Sequence, residues 1–201
     1  MTGPTEPGAA EPRAAEPRAA EPSEGDLAVV AEQLGRAPRG VMAIAHRCPC
    51  GLPDVVQTAP RLPDETPFPT LFYLTCPRAT AAMSRLEAAG VMREMSDRLR
   101  ADASLRDRYR AAHEDYLARR DAAARQAGLE PLPAGMQSAG GMPDRVKCLH
   151  ALAAHALAVP GVNPLGEEAV RAAGPWWHAG PCVARPGRAA GLAPGTSEKA
   201  D

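Results

Sequence analysis

The sequence predicts an α+β fold, in which a small three-stranded sheet is followed by three or four helices. Two observations carry this prediction. Short β-like runs separated by prolines fill residues 40–75, and after Pro77 apolar residues recur at helical spacing. Strands and helices that occupy separate parts of a chain are typical of α+β domains, so we expect the sheet to be antiparallel.

The three strands are predicted at Gly40–His46, Pro53–Thr58 and Thr70–Thr75, and the last run, TLFYLT, has the strongest β-forming composition. Prolines around these runs keep each strand short and make the connections loops. A short helix over Leu27–Leu34, capped by Asp26, is expected to precede the sheet.

The helical half is predicted to begin with Ala79–Ala89, which Gly90 ends, and to continue through Met92, Met95 and Leu99. A proline is tolerated in the first turn of a helix because no N–H donor is needed there, so Pro143 indicates the start of the last helix. Between these parts we expect a long helix over Leu105–Gln126, with Leu105, Tyr109, His113 and Leu117 on one stripe, and a loop at 128–141.

The length of 201 residues predicts one folded domain, over residues 26–178. The repeat AAEPR near the start offers nothing apolar to bury, so residues 1–25 are predicted to be disordered. Residues 179–201 are rich in Gly, Pro and Ala and are predicted to be a flexible tail.

Composition limits the function classes. A net charge of −1 gives no indication of nucleic-acid or membrane binding. No apolar run is long enough for a spanning helix, and no signal peptide is recognisable, so we expect a cytoplasmic protein. The five cysteines are then expected to stay reduced, as metal ligands, reactive thiols or small buried side chains.

The segment GGMPDRVKCLHALAAH, from Gly140 to His155, has the highest density of reactive side chains in the chain. Counted along a helix from Pro143, Cys148 and His155 lie seven residues apart and share a face. His150 lies about 200° from Cys148 on the same count, so it can join the same site only if the helix is irregular.

The first hypothesis for this chemistry is a metal site that holds zinc or an iron–sulfur cluster in a structural or regulatory module. Cysteine and histidine are the ligands that these metals prefer, although no CxxC pair is present. The alternative is that the cysteines are small core residues and the histidines hydrogen-bonded core members. The candidate ligands are Cys48, Cys76 and Cys148, joined by one histidine, His113 or His155.

The second hypothesis is a thiol-dependent enzyme. The pair Gly140–Gly141 ahead of a helix start would leave backbone N–H groups free to bind an anion, assisted by Arg145 and Lys147. Cys148 would be the nucleophile, because nearby cations lower a thiol pKa, and a histidine would be the base. The structural alternative is that the glycines permit a turn and the cations are solvated.

Long stretches of the chain resemble an uncharacterised bacterial family, domain of unknown function 501, found mainly in high-GC Gram-positive bacteria. The matching segments include LGRAPRGVMAIAHRCPCGLPDVVQTAPRLPDETPFPTLFYLTCP (34–77) and GGMPDRVKCLHALAAHALAVPGVNPLGEEAV (140–170). The resemblance implies no known activity, cofactor or catalytic residue. Cys50 departs from the family pattern and is therefore not among the candidate ligands.

Genes of that family often stand beside those of a septum-formation initiator and an exopolyphosphatase-like protein, so the resemblance also implies a possible cell-division partner. A third hypothesis is accordingly an interaction scaffold. Its contact face would be the charged segment Arg93–Arg125, which carries nine arginines and seven acidic residues.

Overall fold

A computed structural model describes residues 20–62, 64–133, 135–136 and 139–184 of the chain. It confirms the α+β class, with three strands, six α-helices and one short 3₁₀ turn at Ala139–Gly141 in the described residues. The elements are α1 (Glu24–Leu34), β1 (Val41–Arg47), β2 (Pro53–Thr58), β3 (Phe72–Leu74), α2 (Pro77–Ala88), α3 (Val91–Ala101), α4 (Ala103–Gln126), α5 (Leu149–Ala158) and α6 (Pro164–Ala173).

The sheet is antiparallel in the order β1-β2-β3, so β2 lies in the centre. Successive residues of a strand face opposite sides of a sheet, and β2 has a core on each side. Val55 belongs to the main core with the helical half, and Val56 to a small cluster with Val30 of α1. The sheet is therefore a layer between α1 and the other helices.

The main core brings α5 against the sheet and against α6. His155 of α5 is fully buried there, and its ring stacks on Phe72 with centroids 5.9 Å apart. Its Nε2 lies 3.4 Å from the Asp115 carboxylate, and its Nδ1 lies 3.3 Å from the Asn163 amide. A buried imidazole needs hydrogen-bond partners, and these two residues provide them.

The first helix begins earlier than predicted. Ser23, and not Asp26, is the N-cap residue, and Asp26 is the third residue of a capping box with it. Both oxygens of Asp26 also accept hydrogen bonds from Arg47, at 2.7 and 2.9 Å. The prediction of Asp26 as the cap was wrong, because Ser23 accepts the Asp26 N–H and the Asp26 side chain accepts the Ser23 N–H in return.

The charged segment Arg93–Arg125 is two helices, because α3 ends at Ala101 and Asp102 caps α4. The predicted buried stripe of α4 was right for Leu105 and Tyr109 and wrong for His113 and Leu117. Steps of four residues drift around a helix by about 40° each, so His113 and Leu117 are only partly buried. The stripe shifts instead to Leu105, Tyr109, Ala112, Tyr116, Arg120 and Ala123.

The described residues extend past the predicted domain limits of 26 and 178 at both ends. Ala20 pairs with Ile44 of β1 through two backbone hydrogen bonds. After α6, the Arg78 guanidinium donates to the Gly180 carbonyl at 2.6 Å. The rest of the two predicted tails, 1–19 and 185–201, lies outside the described residues.

Candidate functional site

The site forms where α5 begins, and α5 does not begin at Pro143 as predicted. The Lys147 N–H donates to the Gly140 carbonyl at 2.7 Å, and the Val146 N–H donates to the Ser96 hydroxyl at 3.2 Å. These N–H groups are therefore not used in a helix. Cys148 is the N-cap residue, with an extended backbone, and the helix runs from Leu149.

The later start changes the geometry of Cys148 and His150. An extended N-cap residue lies outside the helical spacing, so the angle of about 200° does not apply to this pair. The Cys148 Sγ lies 3.7 Å from the His150 Nδ1. The predicted shared face of Cys148 and His155 was wrong, because His155 is a core residue. The irregular helix start brings His150 beside Cys148 instead.

Glu87, near the end of α2, is the third member of the cluster. Its Oε1 accepts the Leu149 N–H at 2.7 Å and lies 3.1 Å from the His150 Nδ1. A carboxylate is stabilised at a helix N-terminus by the free N–H groups and by the helix dipole. Glu87 therefore caps α5 from the neighbouring helix, which Cys148 does not do through its own side chain.

The other nitrogen of His150 faces the backbone of α2. Its Nε2 lies 3.1 Å from the Thr80 carbonyl oxygen and 3.3 Å from the Ser84 hydroxyl. A carbonyl oxygen only accepts hydrogen bonds, so Nε2 carries a proton. Nδ1 is then the nitrogen that faces both the thiol and the carboxylate.

Interactions within the cluster shift the pKa values of His150 and Cys148. The interaction with Cys148, followed by that with Glu87, outweighs burial and raises the pKa of His150 to about 9. Burial opposes ionisation of the Cys148 thiol, but the hydrogen bonds to His150 and to the Ala151 backbone prevail and lower its pKa. Both shifts favour the charged forms of the two groups, the thiolate of Cys148 and the imidazolium of His150.

Glu87, Cys148 and His150 are also arranged as metal ligands. One carboxylate oxygen, the sulfur and one imidazole nitrogen all lie within 4.8 Å of one another, in the sole group of this kind within the described residues. Ligand atoms around a tetrahedral zinc ion are separated by about 3.4–3.6 Å, from bond lengths of about 2.0–2.3 Å. The contacts of 3.7 and 3.1 Å in the cluster are close to that spacing.

The structure does not bring the three cysteines and either candidate histidine together, and of these residues only Cys148 lies in the group of Glu87, Cys148 and His150. Cys48 is buried in the turn after β1, where burial raises its pKa to about 12. Cys76 is the buried N-cap residue of α2. His155 is in the core, and His113 lies half-buried on α4, where desolvation lowers its pKa.

The predicted anion-binding residues lie before the helix and not at its N-terminus. Gly140 and Gly141 have φ values of 84° and 89° in the 3₁₀ turn. A Cβ on Gly140 would lie 2.9 Å from the Leu152 side chain, so this glycine allows the turn to pack against α5. Arg145 and Lys147 are exposed, and the Leu149 N–H is already bonded to Glu87.

Sequence reasoning missed Glu87, which stands in an ordinary helical context, RLEAAG. No spacing connects it with residues 61 positions further along the chain. An acidic residue late in a helix is unfavourable for the dipole of its own helix. That local mismatch is the one signal in the sequence that could have indicated a partner elsewhere.

Taken together, the fold and the site define a small α+β protein with a carboxylate, thiol and imidazole cluster between two helices. A family profile described as "Protein of unknown function (DUF501)" matches residues 44–171. The chain therefore belongs to the DUF501 family, as its sequence segments indicated. No curated protein and no solved structure matches the chain.

All three cluster residues lie inside the matched segment, whereas Cys182 lies beyond it. Within the described part of the chain, none of the helices combines the length and the apolar character needed to cross a membrane.

Proposed function

We propose that the protein binds one zinc ion through Glu87, Cys148 and His150, as a structural or regulatory module. The observation that supports this proposal most strongly is the convergence of three different ligand types within 4.8 Å. These three ligands replace the predicted ligand set, and Cys148 is the one residue that belongs to both.

Charge in the cluster supports a bound cation. Because the Nε2 of His150 donates to Thr80, its Nδ1 lone pair would face a carboxylate and a sulfur, both of which are acceptors. That arrangement is repulsive unless a proton or a metal ion lies between them. Proton and zinc therefore compete for the same place, as they do at other thiolate and imidazole sites.

Hydrogen bonds to the backbone orient the His150 and Glu87 side chains. Metal-bound imidazoles usually donate their other N–H to a carbonyl or a carboxylate, and Thr80 provides that acceptor for His150. The Leu149 N–H holds the Glu87 carboxylate in the same way. Both contacts orient their ligand atoms toward the same point.

The donor set favours zinc over an iron–sulfur cluster. Such clusters are held by several cysteine thiolates, and this site contains one. Zinc accepts a thiolate, an imidazole and a carboxylate together. Three protein ligands leave a fourth position, and the side chains of His150 and Glu87 are 26% and 23% exposed, so water or a small ligand could complete the coordination.

The ion would connect the end of α2 to the start of α5. Since α5 packs against the sheet and α6, this connection would stabilise the helical half around its most buried helix. We infer a structural role, or a regulatory one in which loss of zinc releases the start of α5.

Cobalt(II) substitution tests the ligand set in the full-length protein. A thiolate-to-cobalt charge-transfer band with tetrahedral visible bands is expected, and Cys148→Ser should remove the charge-transfer band. Cys50→Ser is the matched control and should keep it. An unchanged band in Cys148→Ser, or octahedral cobalt in the wild type, would contradict the proposal.

A second candidate is supported by the short contact of Cys148 with His150 and by the lowered pKa of its thiol. In the metal-free protein, Cys148 would be a nucleophile with His150 as its proton partner. Alkylation followed by peptide mass spectrometry distinguishes the candidates. Protection of Cys148 by one equivalent of zinc supports the metal site, and rapid alkylation that zinc does not slow supports the nucleophile.

A further inference from the structure

A pair of thiols, Cys76 and Cys182, meets at the N-terminal end of α2, whereas Glu87 of the metal cluster lies near the C-terminal end of that helix. Cys182, in the segment after α6, interacts with Cys76, the N-cap residue of α2. Its Sγ also accepts a hydrogen bond from the Gln33 amide at 3.2 Å. Both sulfurs are part of the main hydrophobic core or pack against it.

The segment that carries Cys182 is held in place from two directions. Arg78, two residues after Cys76, donates to the carbonyl of Gly180, two residues before Cys182, at 2.6 Å. Gln33 donates its second amide hydrogen to the Pro53 carbonyl at 2.7 Å, which fixes the amide beside β2. The proximity of the two sulfurs is therefore set by the surrounding structure.

We propose that Cys182 and Cys76 are a redox-reactive pair that a hydroperoxide converts into a disulfide, with Cys182 as the attacking thiol and Cys76 as the resolving thiol. The Cys182 thiolate attacks one oxygen of the hydroperoxide, the O–O bond breaks, and an alcohol or water leaves. The Cys76 sulfur then attacks the sulfenic acid on Cys182, the S–O bond breaks, and water leaves. Each cysteine loses one electron, and the hydroperoxide gains two.

Exposure and charge give the two thiols different roles. Cys76 is 1% exposed, whereas Cys182 is only partly buried, so a peroxide reaches Cys182 first. The interaction with Cys76, followed by the hydrogen bond from Gln33, lowers the pKa of Cys182 to about 6. The same interaction, together with burial, raises the pKa of Cys76. Negative charge therefore resides on the more accessible sulfur.

This pair is independent of the proposed zinc site, since neither cysteine is a ligand there. Cys182 also lies outside the segment that defines the family, which ends at residue 171. A disulfide would tie the chain after α6 to the start of α2, and so would link a residue outside the family segment to one inside it.

The test treats the reduced full-length protein with one equivalent of hydrogen peroxide, alkylates free thiols and maps the peptides without reduction. The expected product is a Cys76–Cys182 cross-linked peptide with the other cysteines alkylated. Cys76→Ser should instead leave Cys182 as a sulfenic acid that dimedone traps, and Cys182→Ser should leave Cys76 reduced. Cys50→Ser is the matched control and should still give the cross-link.

Two results would overturn the proposal. One is a disulfide between Cys48 and Cys50 while Cys76 and Cys182 remain alkylated. The other is oxidation of Cys182 to sulfinic acid in the wild type without any cross-link, which would show that Cys76 does not resolve the intermediate. Both readouts come from the wild-type protein, so they do not depend on the folding of a variant.

Discussion

The Nε2 of His150 in α5 lies 3.1 Å from the carbonyl oxygen of Thr80 in α2, 70 residues earlier in the chain. This contact assigns a proton to Nε2 and leaves Nδ1 to face Cys148 and Glu87. The backbone of α2 thus decides which ring nitrogen serves the cluster. The chemistry proposed for the site depends on that choice.

Replacing Glu87 tests the charge balance of the cluster. Glu87→Gln keeps an oxygen for the Leu149 N–H but removes the negative charge beside His150, so the pKa of His150 should fall from about 9 toward its ordinary 6.5. We also expect a loss of about 1 kcal/mol in the free energy of unfolding, because the anion at the start of α5 is gone. NMR titration of the metal-free protein measures the pKa.

Glu94→Gln, at an exposed position of α3, is the control and should leave that titration unchanged. If His150 of the wild-type protein titrates near 6.5, its proposed interaction with Cys148 and Glu87 is contradicted.

Zinc affinity should depend on pH in a defined direction. The ion must displace the proton from Nδ1, and the pKa of His150 is about 9. Below that value each unit of acidification should weaken zinc binding by about tenfold, because one proton competes for the site. Competition with a chelator of known pH dependence measures this slope between pH 6.5 and 8.5. A slope of zero would show that His150 is not a ligand.

The contact between α5 and α6 requires a residue without a side chain. A Cβ on Gly166 would lie 2.2 Å from the Leu152 carbonyl oxygen and 2.9 Å from the Ala156 Cβ. Neither atom can move without separating the helices, so Gly166→Ala should cost about 3 kcal/mol of unfolding free energy. Urea denaturation measures the loss.

Gly25→Ala is the matched control within α1. Its new Cβ would meet the Ser23 hydroxyl at 3.8 Å, an ordinary contact, so stability should stay the same or rise by up to about 1 kcal/mol. A similar loss in both variants would show that close packing of α5 and α6 is not the cause.

Acid should weaken the attachment of α1 to the sheet. The hydrogen bond from Arg47 lowers the pKa of Asp26 to about 2 in the folded protein, from an ordinary 3.8. The stability contributed by this carboxylate is complete above pH 4 and is lost as the pH falls toward 2. Asp26→Asn should therefore make the free energy of unfolding less dependent on pH between 4 and 2. At neutral pH the substitution should lower the free energy of unfolding by about 1 kcal/mol or less, because Arg47 is solvent-accessible.

Thermal unfolding followed by circular dichroism at several acidic pH values provides the comparison. Asp107→Asn, at an exposed position of α4, is the control. An equal acid dependence in Asp26→Asn and the wild type would contradict the assignment.

The fold was predictable from the sequence because its signals are local. Prolines delimited the strands, and Pro53–Thr58 agrees with the observed β2 at both ends. The boundaries of α2 and α4 differ from the predicted ones by two residues or fewer. The cap of α1 was predicted at Asp26 and lies at Ser23, because a capping box uses both side chains and its start is fixed only by the backbone conformation.

The site was less predictable because it depends on tertiary contacts. Pro143 looked like a helix start, but the Lys147 N–H bonds to Gly140, and α5 begins six residues later. That shift places Cys148 beside His150. The third member, Glu87, reaches the cluster only because α2 packs against α5, which no periodicity in the sequence encodes.

Zinc content of the full-length protein, purified without chelators and with its thiols reduced, tests the central claim most directly. We expect about one equivalent of zinc in the wild type, and its loss in Cys148→Ser and in His150→Gln. Cys48→Ser and Cys76→Ser should retain the ion, because neither residue lies in the cluster. A folded wild-type protein that takes up no zinc, or a Cys148→Ser variant that keeps it, would contradict the assignment of this site.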